Sequence, residues 1–178
     1  METQAQPVTP LALGIRYGLL LAVTAMLVDF LIRIAGFSFL AYGIAASVGV
    51  ILVSVVWLVM AHRAFKSSNG GLMTLGQGVQ IAVAMLLISG IVSGLFNYVY
   101  MHYIDPEFVD RMQATMVEFM ERNNVPEAQI EESTAKMSEM KMGLGKALLS
   151  GVGNGLVGGI VIGLVVSAFT KRNSSEFE

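Results

Sequence analysis

The chain has 178 residues, of which 54% are hydrophobic and only 13% are charged. Soluble domains carry about 25% charged residues, so this composition excludes an ordinary soluble domain. The net charge of −2 provides no basic surplus for nucleic acid, and the absence of cysteine excludes disulfides and thiolate chemistry. The length is that of a single domain, residues 1–178.

The first predicted membrane span covers about residues 11–32, and the second covers about residues 39–60. Each has 22 residues and, at ~1.5 Å per residue, can cross a hydrocarbon core of about 30 Å. The first span contains Arg16 and Asp29, whereas the second is uncharged and precedes a basic turn. The N-terminal segment lacks the basic residues of a secretory signal, so we interpret the first span as a retained anchor.

The third predicted span, about residues 79–100, is uncharged and ends among tyrosines, which suit a membrane–water interface. Residues 105–145 then contain nine acidic and four basic residues, which places them outside the bilayer. Asp105-Pro106 predicts a helix start. An apolar stripe follows, and a weaker one comes after Pro126: Phe108, Met112, Met116 and Phe119, then Ile130, Thr134, Met137 and Met140.

These stripes predict an extramembrane amphipathic helical hairpin over about residues 105–142, between the third and fourth spans. Its apolar faces could lie on the membrane or against each other, or could dock a partner protein. The chain is therefore predicted to be all-α: a polytopic four-helix membrane bundle carrying this hairpin.

The fourth predicted span, about residues 147–169, has a small residue at every fourth position. The positions are Ala147, Gly151, Gly155, Gly159, Gly163 and Ser167. Such a glycine zipper lets another helix approach closely in lipid. We expect it to pack against other spans of the same chain, at Gly90 and Gly94 or at Gly14, Gly18 and Ala22. A homo-oligomer interface and a path lined by backbone are the alternatives.

A candidate intramembrane polar cluster consists of Asp29, Arg33, Asn97 and Asn154. Asp29 and Arg33 are four residues apart, so they can pair on one helix face. The two asparagines fall in the same predicted half of the bilayer. Their side chains could hydrogen-bond the helices together or could form a site for a small molecule or an ion.

The sequence shows no constellation that supports an enzyme, a metal or a cofactor. His62 and His102 fall on opposite predicted sides of the membrane, and no zinc-type spacing occurs. No serine within the spans has a nearby histidine, and no glycine-rich loop follows a strand. We therefore predict no enzymatic activity, no bound metal and no cofactor.

The order of several motifs resembles the family catalogued as domain of unknown function 4199, found in Gram-negative bacteria. The motifs are Tyr17-Gly18, Tyr42-Gly43, Gly76-Gln77-Gly78, the stretch 89–100, Ile104-Asp105-Pro106-Glu107-Phe108 and Val125-Pro126-Glu127. The resemblance covers about residues 13–171. It implies four spans and an inner-membrane location, and it implies no activity.

These features favour a non-enzymatic structural or interaction protein that associates with a second copy or another membrane protein through the fourth span and the hairpin. The alternative is a small transporter or channel subunit with a polar site in the outer half of the bundle. Basic residues beside the span ends, at Arg63, Lys66, Lys171 and Arg172, favour cytoplasmic termini and a periplasmic hairpin.

Overall fold

The computed structural model describes residues 8–138 and 143–172. The described residues form six α-helices and one π-helical turn, with no strand. The helices are α1 (Pro10–Ile34), α2 (Phe39–Ser68), α3 (Leu75–Val99), α4 (Phe108–Arg122), α5 (Glu127–Ser138) and α6 (Leu144–Thr170), and the π-helical turn Tyr100–Ile104 continues α3. Four helices are long and apolar enough to cross a membrane, which confirms the predicted all-α, four-span fold.

Several boundaries differ from the sequence prediction, among them the end of α2 and the start of α4. Helix α2 continues to Ser68, past the expected end near residue 60, because nothing breaks it before Gly70 and Gly71. These two glycines adopt φ values of +61° and +83°, which other residues rarely tolerate. Helix α4 begins at Phe108 rather than at Asp105, because the π-helical turn extends to Ile104.

Helix α3 lies at the centre of the membrane domain and packs against α6 on one side and α1 on the other. The small residues of α6 face α3: a Cβ on Gly151 would lie 2.1 Å from the carbonyl oxygen of Gly90. Contacts this close require bare backbone on both helices. The ridge of Gly151, Gly155, Gly159 and Gly163 is therefore buried within the chain.

The glycines of α1 do not meet this ridge. A Cβ on Gly14 would lie 2.5 Å from the Cβ of Ala84, and one on Gly18 would lie 2.8 Å from the carbonyl oxygen of Met85. Both contacts are with α3, which separates α1 from α6. The expectation that α1 could receive the ridge was therefore wrong, because α3 uses a separate face for each neighbour.

The outward faces of the long helices remain strongly apolar. Large exposed hydrophobic side chains follow α1, α2 and α6 along their lengths: Leu19, Val23, Leu27, Leu31, Val48, Leu52, Val56, Val157, Ile160, Val161 and Leu164. Apolar surface of this extent is far larger than soluble monomers expose. It matches a bundle whose solvent is the hydrocarbon of a bilayer.

The two ends of the bundle are built differently. At the end where α1 begins and α6 ends, called the terminal side below, His62 of α2 contacts Thr170 through Nδ1 at 2.7 Å and the carbonyl oxygen of Gly78 through Nε2 at 3.1 Å. Lys66 donates to the carbonyl oxygen of Thr170. These bonds hold α2, α3 and α6 together at this end.

The opposite end, called the hairpin side, carries α4 and α5. The apolar stripe of α4 is turned towards the bundle, where Phe108 and Met116 are buried. The backbone N–H of Phe39 donates to Thr115 Oγ1 at 3.0 Å, which ties α4 to the start of α2. Phe119 departs from the stripe and is 44% exposed. The predicted stripe residue Met140 lies outside the described residues.

Candidate functional site

Arg33, near the C-terminal end of α1, lies inside a cage of aromatic rings. Its guanidinium carbon lies 4.5 Å from the ring centre of Tyr100 and 4.7 Å from that of Phe108. The rings of Tyr42 and Phe96 lie at 5.8 and 5.9 Å. Each distance is within the range of a cation–π interaction. Because the rings come from α2, α3, the π-helical turn and α4, one cation joins four elements.

The polar partners of Arg33 balance its charge. Its Nε donates to Asp29 at 2.7 Å, and its Nη2 donates to Asn97 Oδ1 at 2.9 Å. The Tyr42 hydroxyl donates to the other oxygen of Asp29 at 3.0 Å. The Arg33 side chain is only 5% exposed. Without Asp29 it would be an uncompensated buried charge, which would strongly destabilise the fold.

Arg33 Nη1 has no oxygen partner within the described residues. The nearby faces of Tyr100 and Phe108 carry negative π density and can receive its N–H groups.

A second ion pair adjoins the cage on the hairpin side. Asp105 accepts two hydrogen bonds from Arg111 of α4 and one, at 3.3 Å, from the Tyr100 hydroxyl. The hydrogen bonds from Arg111 lower the pKa of the Asp105 carboxyl below its ordinary value. This pair anchors the start of α4 beside the cage.

The structure does not bring Asn154 into the Arg33 network. Gly90 of α3 lies opposite Gly151 of α6 in an antiparallel pair. Asn97 is seven residues beyond Gly90, so it lies opposite Leu144 rather than Asn154. Ten residues of α6 therefore separate the two levels, which corresponds to about 15 Å along the helix axis. Asn154 instead contacts Ser150, through a long bond of 3.4 Å.

A groove connects the two asparagines. It has a volume of about 380 Å³ and lies between α2, α3 and α6, where α2 and α6 diverge from their contact on the terminal side. Its polar lining consists of Ser54, Ser89, Ser93, Asn97, Ser150 and Asn154, with Tyr98 and His102 at the hairpin side. Its small lining residues include Gly90, Gly94, Gly151 and Gly155. Ser54 Oγ is buried and has no hydrogen-bond partner within the described residues.

Sequence reasoning identified the polar members of this region but missed the aromatic cage. Tyr42 and Phe96 lie inside predicted spans, where an aromatic side chain is expected for its apolar character and does not indicate a special role. Phe108 was assigned to the hairpin stripe. Only the pairing of α4 with the bundle reveals that these rings share one cation.

The described chain contains no group of three or more histidine or acidic side chains able to hold a metal ion. The features above define an α-helical multi-pass membrane protein with a caged ion pair and a polar groove in one half of its bundle. The chain belongs to the family described as Protein of unknown function (DUF4199), whose model matches residues 16–172. No curated protein and no solved structure matches the chain.

Proposed function

We propose that this protein is a non-enzymatic membrane protein that binds a small uncharged molecule in the groove between α2, α3 and α6. The observation that carries the proposal is the groove itself, which reaches both Asn97 and Asn154 at membrane depth. Its volume of about 380 Å³ lies in the ordinary range for small-molecule sites. This favours the sequence-based alternative of a polar site in one half of the bundle.

The lining of the groove indicates the charge of its ligand. The side chains that line it include no carboxylate, lysine or arginine, and its polar groups are mainly hydroxyls and amides among small and apolar groups. Arg33 lies behind Asn97, but Asp29 balances its charge. An ion in this low-dielectric region would lack a compensating partner, so an uncharged ligand with hydrogen-bonding groups fits best.

The closed terminal side is relevant to transport. Leu58, Ala61 and Phe65 of α2 are almost fully buried there, and His62 binds α3 and α6. The groove therefore ends within the bundle in this conformation. If the protein moves its ligand across the membrane, the contacts of His62 must open during the cycle.

Association with another membrane protein is the second candidate function. The groove lies between α2 and α6, where a helix of another protein could enter. The glycine ridge itself is less suited to this role, because α3 already covers Gly151 and Gly155. The buried stripe of α4 is likewise engaged within the chain. Self-association through these two features would require the bundle to open first.

The cellular setting belongs to the same proposal. We place the protein in the bacterial inner membrane, with both termini in the cytoplasm and α4–α5 in the periplasm. Arg63, Lys66, Lys171 and Arg172 at the terminal side support this orientation. The acidic character of residues 105–145 is consistent with the translocated side, because acidic residues hinder translocation little.

A bulky residue inside the groove tests the proposed function. Ser93 lines the groove, so Ser93→Trp places a large ring inside it. Val157→Trp adds the same ring to a position of α6 that is 65% exposed. We expect mass spectrometry of extracts from purified wild-type protein and the Val157 variant to show the same bound small molecule. The Ser93 variant should lose it. Equal content in all three proteins, or none in the wild type, would contradict the proposal.

A further inference from the structure

The orientation of the Asn97 amide follows from the chemistry of its partner, Arg33. Arg33 has only hydrogen-bond donors, so the Asn97 atom that it contacts at 2.9 Å must be the amide oxygen. The Nδ2 group lies on the other branch of the planar amide. Asn97 lines the groove, and the one hydrogen bond that its side chain makes with a described residue is the one from Arg33. This leaves Nδ2 as the part of the amide that is available to a ligand in the groove.

This donor is stronger than that of an ordinary amide. A hydrogen bond from a cation to the oxygen polarises the amide and makes its N–H groups better donors. The ion pair with Asp29 keeps the network neutral overall. Asn97 is therefore suited to an uncharged acceptor, such as a carbonyl oxygen, rather than to an anion.

The depth of Asn97 narrows the ligand class. It precedes Tyr98, whose ring lies near those of His102 and Tyr103, and Tyr103 is 71% exposed. Tyrosines at the end of a span mark the membrane–water interface. The ester carbonyls of glycerolipids lie at this same boundary between headgroup and acyl chain. The groove extends from there about 15 Å towards the level of Asn154.

The groove, with a volume of about 380 Å³ and an extent from Asn97 to Asn154, has room for part of an acyl chain beneath such an ester. Gly90, Gly94, Gly151 and Gly155 are among its lining residues, and they form its floor where the backbones of α3 and α6 meet. The lining contains no lysine or arginine that could pair with a phosphate. An uncharged acylglycerol therefore fits better than a phospholipid.

We propose that the ligand is an uncharged acylglycerol, and that Asn97 Nδ2 donates a hydrogen bond to one of its ester carbonyl oxygens. This inference rests on the proposed function of the groove and specifies its ligand class. Asn97 would act as the residue that selects a carbonyl at interfacial depth.

The test compares two probes that differ only in the carbonyl. Dioleoylglycerol carries two ester carbonyls, whereas dioleylglycerol diether has none. We expect native mass spectrometry of the intact protein in detergent to show about two- to tenfold tighter binding of the ester, the range of one neutral hydrogen bond. Asn97→Asp retains an oxygen for Arg33 but removes the N–H₂ donor, so this preference should vanish. Asn154→Asp, in the same groove, should retain it.

The outcomes separate this inference from the proposed function. Equal binding of ester and diether by the wild type, with both lost in Ser93→Trp, would overturn the carbonyl contact and leave the groove as a binding site. Tighter binding of dioleoylphosphatidylglycerol than of dioleoylglycerol would overturn the uncharged class. If neither glycerolipid binds, but another molecule co-purifies with the wild type and is lost in Ser93→Trp, the acylglycerol assignment fails and the proposed function stands. Because the wild-type comparison needs no variant, misfolding of Asn97→Asp would not leave the inference untested.

Discussion

At the scale of single residues, the pairing of Asp29 with Arg33 follows from their spacing of four on one helix. The four rings around Arg33 do not follow from spacing, because they come from separate elements whose relative positions depend on tertiary packing. The unmatched depth of Asn154 has the same cause: it depends on the register between α3 and α6, which hydropathy does not encode.

The cage predicts that Arg33 cannot be replaced by lysine. Lysine lacks the planar fork that reaches Asp29 and Asn97 together, and it stacks less well among rings. We expect Arg33→Lys to lower the free energy of unfolding by about 1.5–3 kcal/mol, the range for a hydrogen bond to a charged group. Thermal unfolding in detergent measures this change.

The ion pair between Arg111 and Asp105 offers the matched control for this substitution. Arg111 is 53% exposed, so Arg111→Lys should change stability by less than about 1 kcal/mol. Equal effects of the two substitutions would show that the cage contributes no more than a surface ion pair.

At the scale of elements, the glycine periodicity of α6 predicts a close packing face, and Gly151 and Gly155 lie against the backbone of α3. It does not identify the partner helix, since any span with small residues could receive the ridge. Gly90 and Gly94 lie directly beneath it, whereas Gly14 and Gly18 serve a second interface on the other side of α3. The α4 stripe likewise predicts an amphipathic helix but not the surface on which it packs.

Two neighbouring glycines of α6 provide a controlled test of the ridge. A Cβ on Gly151 would lie 2.1 Å from a backbone oxygen of α3, whereas a Cβ on Gly153 would meet no atom within 4 Å. We expect Gly151→Ala to be destabilising by about 1–3 kcal/mol through forced separation of the helices. Gly153→Ala should be neutral or stabilising by up to about 1 kcal/mol, because alanine favours the helix. Thermal unfolding of both variants in detergent measures the difference. Similar melting temperatures would contradict the close packing of Gly151 against α3.

At the scale of the whole molecule, the number and approximate limits of the membrane spans could be predicted from hydropathy and length alone. The groove could not be, because it is a gap between helices and therefore depends on where α2 and α6 diverge. Sidedness is also only weakly encoded, since basic residues occur on both predicted sides of the membrane.

The proposed orientation can be tested without background labelling, because the chain has no native cysteine. Ser68 ends α2 on the terminal side, and Ser133 lies in α5 on the other side. We expect a membrane-impermeant maleimide to label Ser133→Cys in spheroplasts and Ser68→Cys only in inverted vesicles. The reverse pattern would place α4–α5 in the cytoplasm.

The central position of α3 has a consequence for how the protein is made. Helix α1 packs with both α2 and α3, so the first three spans can assemble as soon as they leave the ribosome. The face of α3 that holds Gly90 and Gly94 must wait until α4 and α5 have been synthesised and α6 has been inserted. During this interval, exposed backbone on α3 faces lipid without its partner. A nascent chain truncated before Leu144 would therefore be a natural substrate for membrane quality control.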